Sequence, residues 1–338
     1  MISYVIAGSG YRAEYFGRIA SAYPSLFRAK YLCRSNEKTA HLTRATGVAA
    51  TTSAEECLAF GPDFAVIAVD REHTADVAED WITKGIPVLT ETPVASTPEQ
   101  IGKIEALGRQ GAKIVCCEQY HRQPVIAAGL TEIAKDTIGE PTSMYISLVH
   151  DYHAPSIIRR ALCLEPGESY TITGFTQKTC VARTDSRYGA FYDGEPVDAE
   201  RTTALIRFAS GKTAVYDFAS VQYRSYIRSR HLTVRGTRGE WTDTLITYLD
   251  GSNLPRRKML TGEIPERYRC LDSQLLRDRR RNWTAELAPD TVQDEFAIAT
   301  MLLDMGEYVH GGEPPYPLWE AIDDARFWLE LQKISSGQ

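Results

Sequence analysis

The sequence predicts an α/β protein with two parts. An N-terminal doubly wound parallel sheet covers residues 1–122, and an α+β domain with a large, open, mostly antiparallel sheet covers residues 123–338. Three observations predict it. Short apolar runs alternate with amphipathic segments up to about Asp136, as strands buried between helices do. Beyond that point strand-like runs dominate. A length of 338 residues exceeds one ordinary core and suits two domains.

In the first part the strands are "ISYVIAG", "AKYLCRS", "DFAVIAVD", "IPVLTE" and "AKIVCCEQ", with helical segments such as "EHTADVAEDWITKG" and "TPEQIGKIEALGRQG" between them. The last of these helices is marked by Thr97 as N-cap, Pro98 in the first turn and Gln100 at the capping-box position. The first strand runs into "GSGYRAEYFGRIA". There Gly8 and Gly10 permit a tight turn and the close approach of a pyrophosphate, and Ala13 lets helix and strand pack. Because this turn follows a strand and opens a helix, it reads as a dinucleotide-binding turn, with Ser9, Tyr11 and Arg12 among its contacts.

The end of the second strand selects the cofactor. It reads Cys33, Arg34, Ser35, Asn36, with no carboxylate to hold the ribose hydroxyls of NAD. Arg34 can pair with a 2'-phosphate and Ser35 can donate to it, so NADP(H) is favoured, with NAD(H) as the alternative. Val69 and His73 at the next strand end, Glu91, Thr92 and Pro93 after "VL", and Tyr120 complete the expected cofactor contacts.

In the second part the strands are "TSMYISLVH", "TTALIRFASG", "TAVYDFASVQY", "RHLTVRGTRGEWTDT" and "LITYLD". In "YRSYIRSRH", Arg224, Tyr226, Arg228 and Arg230 alternate onto one face of a presumed strand. Arg159 and Arg160 are read as sitting early in a helix, against the preference of its dipole. Arg159 and Arg122 are the substrate-facing candidates.

Composition narrows the function classes. With 43% hydrophobic and 24% charged residues and a net charge of -6, the chain reads as a globular protein that binds neither nucleic acid nor a membrane surface. "RDRRRNW" is locally basic. No run approaches the roughly 18 apolar residues of a membrane span, and no signal-peptide pattern opens the chain, so a cytoplasmic location is expected. Seven cysteines without a C-x-x-C pair read as reduced thiols, and no metal site is expected.

These features in this order resemble the glucose-fructose oxidoreductase and inositol dehydrogenase family, Gfo/Idh/MocA. The resemblance runs through the glycine turn, "HTADVAEDWITKGIPVLTETPVA", "GEPTSMYIS", "VRGTRGEW" and the final "LWEAIDDARFWLELQKISSG". It implies a nicotinamide-dependent oxidoreductase acting on a sugar, polyol or related polyhydroxylated compound. It also implies a homodimer or homotetramer paired through the open sheet, and a final helix able to return to the first domain.

Glu91 and Pro93 stand where the family has Glu-Lys-Pro, but Thr92 replaces the lysine and cannot carry its charge. The second family element is an Asp-x-x-x-His with another Asp three residues on. Its counterpart is "VHDYHAPSIIRRAL", in which His153 takes the histidine position, Ser156 the later Asp, and Val149 the earlier one. Acid/base work therefore falls to His153, with Tyr152 second, Asp151 as a spatial substitute and Thr92 positioning the substrate or the cofactor amide. Two further readings follow from these departures from the family pattern. One is a glycosidase or lyase that uses bound nicotinamide for transient oxidation and elimination, and the other is a noncatalytic dinucleotide-binding sensor or partner subunit.

Overall fold

The computed structural model describes residues 1–186, 189–271 and 291–335. Contacts divide the chain into two compact units, with the first break after Gln119. The first unit comprises residues 1–119 and the described parts of 264–279 and 291–326; the second comprises the remaining described residues. The basic run at 277–283 lies outside the described residues.

The first unit is a six-stranded parallel sheet of β1 (Ile2–Ala7), β2 (Phe27–Leu32), β3 (Ala50–Thr51), β4 (Phe64–Ile67), β5 (Val88–Thr90) and β6 (Ile114–Cys116). Their spatial order is β3-β2-β1-β4-β5-β6. The helices α1 (Tyr11–Ala22), α2 (Asn36–Thr46), α3 (Ala54–Ala59), α4 (Thr74–Thr83) and α5 (Pro98–Arg109) alternate with the strands. The central strands are apolar because both faces are covered: Tyr4 to Ile6 and Phe64 to Ile67 are fully buried. Tyr4 stacks on Phe64 across the β1–β4 pair at 5.5 Å. Strand order reverses between β1 and β4, which places a binding crevice beyond the carboxyl ends of those strands. The Thr97 cap forms as expected, its hydroxyl accepting the Gln100 N–H at 3.2 Å. Gln100 itself reaches Ser96 N at 2.7 Å, one residue before the capping-box partner.

The second unit begins with α6 (Pro124–Ala134), and α7 (Ala154–Ala161) follows β7 (Pro141–Ser147). The sheet continues with β8 (Tyr170–Ala182), β9 (Pro196–Phe208), β10 (Thr213–Ala219), β11 (His231–Gly236), β12 (Gly239–Thr242), β13 (Leu245–Leu249) and β14 (Pro255–Met259). Its order is β14-β13-β12-β11-β7-β10-β9-β8. β7 and β10 run parallel, and every other neighbouring pair is antiparallel. Alternate residues of one face, including Ile146, Ile206, Tyr216, Val234 and Trp241, are buried in one core with Ile157 and Ile158 of α7 and Ile126 and Ile133 of α6. The other face is polar: Tyr145 donates to Asp217 at 2.8 Å, and Arg201 Nε donates to the same carboxylate at 2.6 Å.

Two helices close the described chain, α8 (Thr291–Val309) and α9 (Leu318–Ser335). No helix of the described residues is long and apolar enough to cross a membrane.

Two sequence expectations are corrected. The presumed strand at "YRSYIRSRH" is absent; a short 3-10 turn at Gln222–Arg224 leads into an irregular loop. The cause is the buried Gln222 side chain, which accepts from Ala219 N at 3.0 Å and donates to Ser147 O at 3.0 Å and Ser229 O at 2.6 Å. Arg224, Tyr226, Arg228 and Arg230 therefore form no strand face. Arg159 and Arg160 occupy the last turn of α7, because that helix is only eight residues long. There the dipole favours their charge, so they present no conflict.

Candidate cofactor and active site

The glycine turn lies at the carboxyl end of β1. Gly8 has φ +142°, and a Cβ there would meet the Ala68 carbonyl oxygen at 2.1 Å. Only glycine lets the turn lie this close to the residue after β4. Gly10 is the N-cap of α1 and offers no side-chain oxygen to the first-turn N–H groups, while the space where its Cβ would point is open for 4 Å. A twelve-residue helix that starts without a side-chain cap, beside open space at Gly10, fits a pyrophosphate. Ala13 is fully buried against the sheet.

At the end of β2, Ser35 caps α2 by accepting the Lys38 N–H at 3.3 Å. Arg34 is exposed, and its nearest acidic partner is Asp70 at 3.7 Å, beyond the end of β4. Val69 precedes Asp70, and His73 is exposed at the start of α4.

The third group gathers at the ends of β5 and β6. Glu91 N–H donates to Ile67 O at 2.9 Å, and the Thr92–Pro93 peptide is cis. Glu91 Oε2 accepts the Thr92 N–H at 3.3 Å, while Glu91 Oε1 receives Arg12 Nε at 3.1 Å. Arg12 Nη1 donates to Asp294 Oδ2 at 2.8 Å, and Gln119 Nε2 donates to Asp294 Oδ1 at 2.6 Å. Burial works to lower the Arg12 pKa, but Glu91 and Asp294 outweigh it and raise the guanidinium further. Burial pushes the neighbouring Cys117 thiol well up, with Glu91 adding to it, so this thiol is no nucleophile at neutral pH.

In the second unit "HDYH" folds into a cluster of rings. His153 is buried at the N-cap of α7, its ring 4.3 Å from that of Tyr120 and 4.4 Å from that of Tyr152. Its backbone oxygen accepts Ser156 Oγ at 3.0 Å. The imidazole of His150 stacks on Tyr152 at 5.6 Å and meets Tyr223 edge-on at 4.3 Å. The His150 N–H donates to the Tyr223 hydroxyl at 3.0 Å. Burial, followed by Tyr120 and Tyr152, pushes the Tyr223 hydroxyl well above its ordinary value. Asp151 accepts its neighbour's N–H, from Tyr152, at 2.9 Å and also accepts from the Gln332 amide. Beside the cluster, His121 is held well below the usual imidazole range, first by burial and then by Arg160, Arg122 and Arg159.

Comparison with curated proteins yields no match. Residues 2–119 match the GFO_IDH_MocA model, an oxidoreductase family with an NAD-binding Rossmann fold. Over these residues the chain is similar to that family. Solved structures extend the likeness of fold to the whole chain. An NAD-binding oxidoreductase from Klebsiella pneumoniae matches with a TM-score of 0.70 at 16% identity, covering 100% of this chain and 98% of that one. Levoglucosan dehydrogenase, solved with NADH and levoglucosan, gives 0.69 at 13% identity, covering 99% and 97%. Biliverdin reductase from Synechocystis, solved with biliverdin and NADP+, gives 0.64 at 16% identity, covering 99% and 98%.

Within the first unit the structure brings Arg12, Glu91 and Thr92 together, and places Arg34 and Ser35 at a separate strand end. Within the second unit it joins His153, Tyr152 and Tyr120. Sequence reading missed Asp294 and Gln119 around Arg12, and Tyr223 and Gln332 around the histidines. Asp294 carries one usable signal: with Glu295 it is an acid that comes just before the apolar "FAIATMLL" run and becomes buried. Tyr223 and Gln332 lie about 70 and 180 residues from their partners and carry no such signal.

Proposed function

We propose that the chain is a nicotinamide-dependent oxidoreductase acting on a sugar, polyol or related polyhydroxylated substrate, with His153 moving the proton of the reacting hydroxyl. The observation that carries this reading is the buried His153 ring in contact with both Tyr120 and Tyr152. Imidazole is the side chain best matched to proton transfer near neutral pH, and the tyrosine hydroxyls can orient a substrate hydroxyl or relay its proton. A bound dinucleotide supplies the hydride donor or acceptor. Gly8 and Gly10 would hold its pyrophosphate at the N-terminus of α1, and Thr92 would orient the substrate or the carboxamide without adding charge. Arg122 and Arg159 would face the substrate.

Arg34 and Ser35 support NADP(H) as the preferred cofactor, since an exposed guanidinium at the end of β2 can recruit a 2'-phosphate away from Asp70. The assembly we propose is a homodimer or homotetramer joined through the polar face of the large sheet, which light scattering of the purified protein tests.

The decisive experiment is His153→Ala. On the substrate that a panel of sugars and polyols selects, kcat should fall by about 10²- to 10⁴-fold while dinucleotide affinity stays unchanged. Turnover within about twofold of the parent protein removes His153 from the chemistry.

A further inference from the structure

Arg12 sits in the first turn of α1, the position from which a side chain is expected to reach the cofactor. Its guanidinium is engaged elsewhere. Nε donates to Glu91 Oε1 at 3.1 Å and Nη1 to Asp294 Oδ2 at 2.8 Å, Nη2 lies 3.1 Å from Glu91 Oε1 without forming a hydrogen bond, and the guanidinium carbon lies 4.7 Å from the centre of the Tyr15 ring. Two carboxylates against one guanidinium leave the trio with net negative charge, the wrong sign for attracting a pyrophosphate.

The far sides of both carboxylates are also in use. Glu91 Oε2 takes the Thr92 N–H at 3.3 Å, and Asp294 Oδ1 takes the Gln119 amide at 2.6 Å. Arg12 thus ties the turn after β1 to the ends of β5 and β6 and to α8. In a sheet of this order the pyrophosphate lies at the β1 turn and the nicotinamide half lies on the β4–β6 side of the switch point. The tie spans the two halves of the cofactor site.

We propose that Arg12 is a positioning residue and not a phosphate ligand: through Glu91 and through Asp294 with Gln119 it sets the Thr92 edge against the pyrophosphate turn. The proposal rests on the reading that a dinucleotide binds at that turn.

Calorimetric titration of NADPH and of 2'-phospho-ADP-ribose, which keeps the adenosine and pyrophosphate but lacks nicotinamide, tests it. Arg12→Met and Glu91→Gln should each weaken NADPH binding by about tenfold and leave the fragment within about twofold. The double variant should be no weaker than Arg12→Met alone, as for residues acting through one contact. Arg12→Lys keeps the charge but has no fork to bridge two carboxylates, so it should behave like Arg12→Met.

Equal losses for both ligands in Arg12→Met, with rescue by lysine, overturn the proposal in favour of a phosphate ligand. Unchanged NADPH binding in all three single variants overturns it as well. If Arg12→Met does not fold, Glu91→Gln alone decides: a loss confined to NADPH supports the tie, and its absence refutes it. Failure of the unsubstituted protein to bind NADPH, NADH or the fragment strikes the dinucleotide reading itself, and with it this proposal.

Discussion

The strand-end centre of the first unit and the histidine centre of the second are built of opposite materials. Around Arg12 the contacts are charged and directional, among one guanidinium, two carboxylates and one amide. Around His153 they are rings, with His150, Tyr152, Tyr120, Tyr223 and Phe218 meeting at centroid distances of 4.3 to 6.3 Å. A charged lattice fixes backbone ends but depends on every member, because losing one leaves a desolvated charge behind. A ring cluster shares its packing energy among many weak contacts and tolerates a lost polar atom more readily. The first arrangement suits holding a geometry; the second suits sheltering groups that exchange protons.

Asp294→Ala is the sharpest way to break the first centre. It strips Arg12 of one carboxylate and leaves the buried Gln119 amide without its acceptor. The expected cost is about 3 kcal/mol, read as a lower urea midpoint at unchanged slope. A cost below about 1 kcal/mol would mean that Glu91 alone secures Arg12 and that the charged centre is as tolerant as the ring cluster.

How far each centre could be read from sequence follows the same division. The first unit was legible because its signals are local: buried strands read as continuous apolar runs, Gly8 and Gly10 mark the turn, and Thr97 and Pro98 mark a helix start. In the second unit the interior strands were legible, whereas β8 and β14 escaped. They are the two edges of the sheet, and β14, "PRRKM", is exposed along its whole length, so no alternation remains to be seen. Thr92 and His153 could be singled out as candidates because they sit in recognisable segments. The partners of Arg12 and Asp151 were not, because Asp294 approaches Arg12 across 282 residues and Gln332 approaches Asp151 across 181. Such pairings are properties of the fold and leave no spacing in the sequence.

The second test separates the units by pH. His121 is held neutral by burial and by Arg160, Arg122 and Arg159, whereas its unfolded form takes up a proton near pH 6.5. Below that pH the unfolded chain binds more protons than the folded one, so stability falls as pH drops; above it the contribution is complete. His121→Gln should leave stability at pH 8 unchanged and flatten the slope below pH 6.5 by up to about 1.4 kcal/mol per pH unit. An unchanged slope in denaturant titrations at pH 5, 6 and 7 would assign the acid sensitivity to other groups. Arg12, raised by its carboxylates, stays charged throughout that range and contributes no slope.

The smallest expected effect is the most informative about the rings. Tyr223→Phe keeps the edge-on contact with His150 at 4.3 Å and the packing on Phe218 at 5.1 Å, but removes the hydroxyl that accepts the His150 N–H at 3.0 Å. One lost hydrogen bond costs about 1 kcal/mol, and the helix that follows keeps its place because His153 N and Ala154 N still bond to His150 O at 2.9 and 3.1 Å. If packing alone holds the cluster, kcat should fall less than about threefold, with an unaltered pH profile. If the Tyr223 hydroxyl belongs to a proton path through its neighbour Tyr120, kcat should fall further and the profile should shift while the thermal midpoint moves only slightly. This variant therefore reads stability and turnover apart, whereas Asp294→Ala removes contacts of both Arg12 and Gln119 at once.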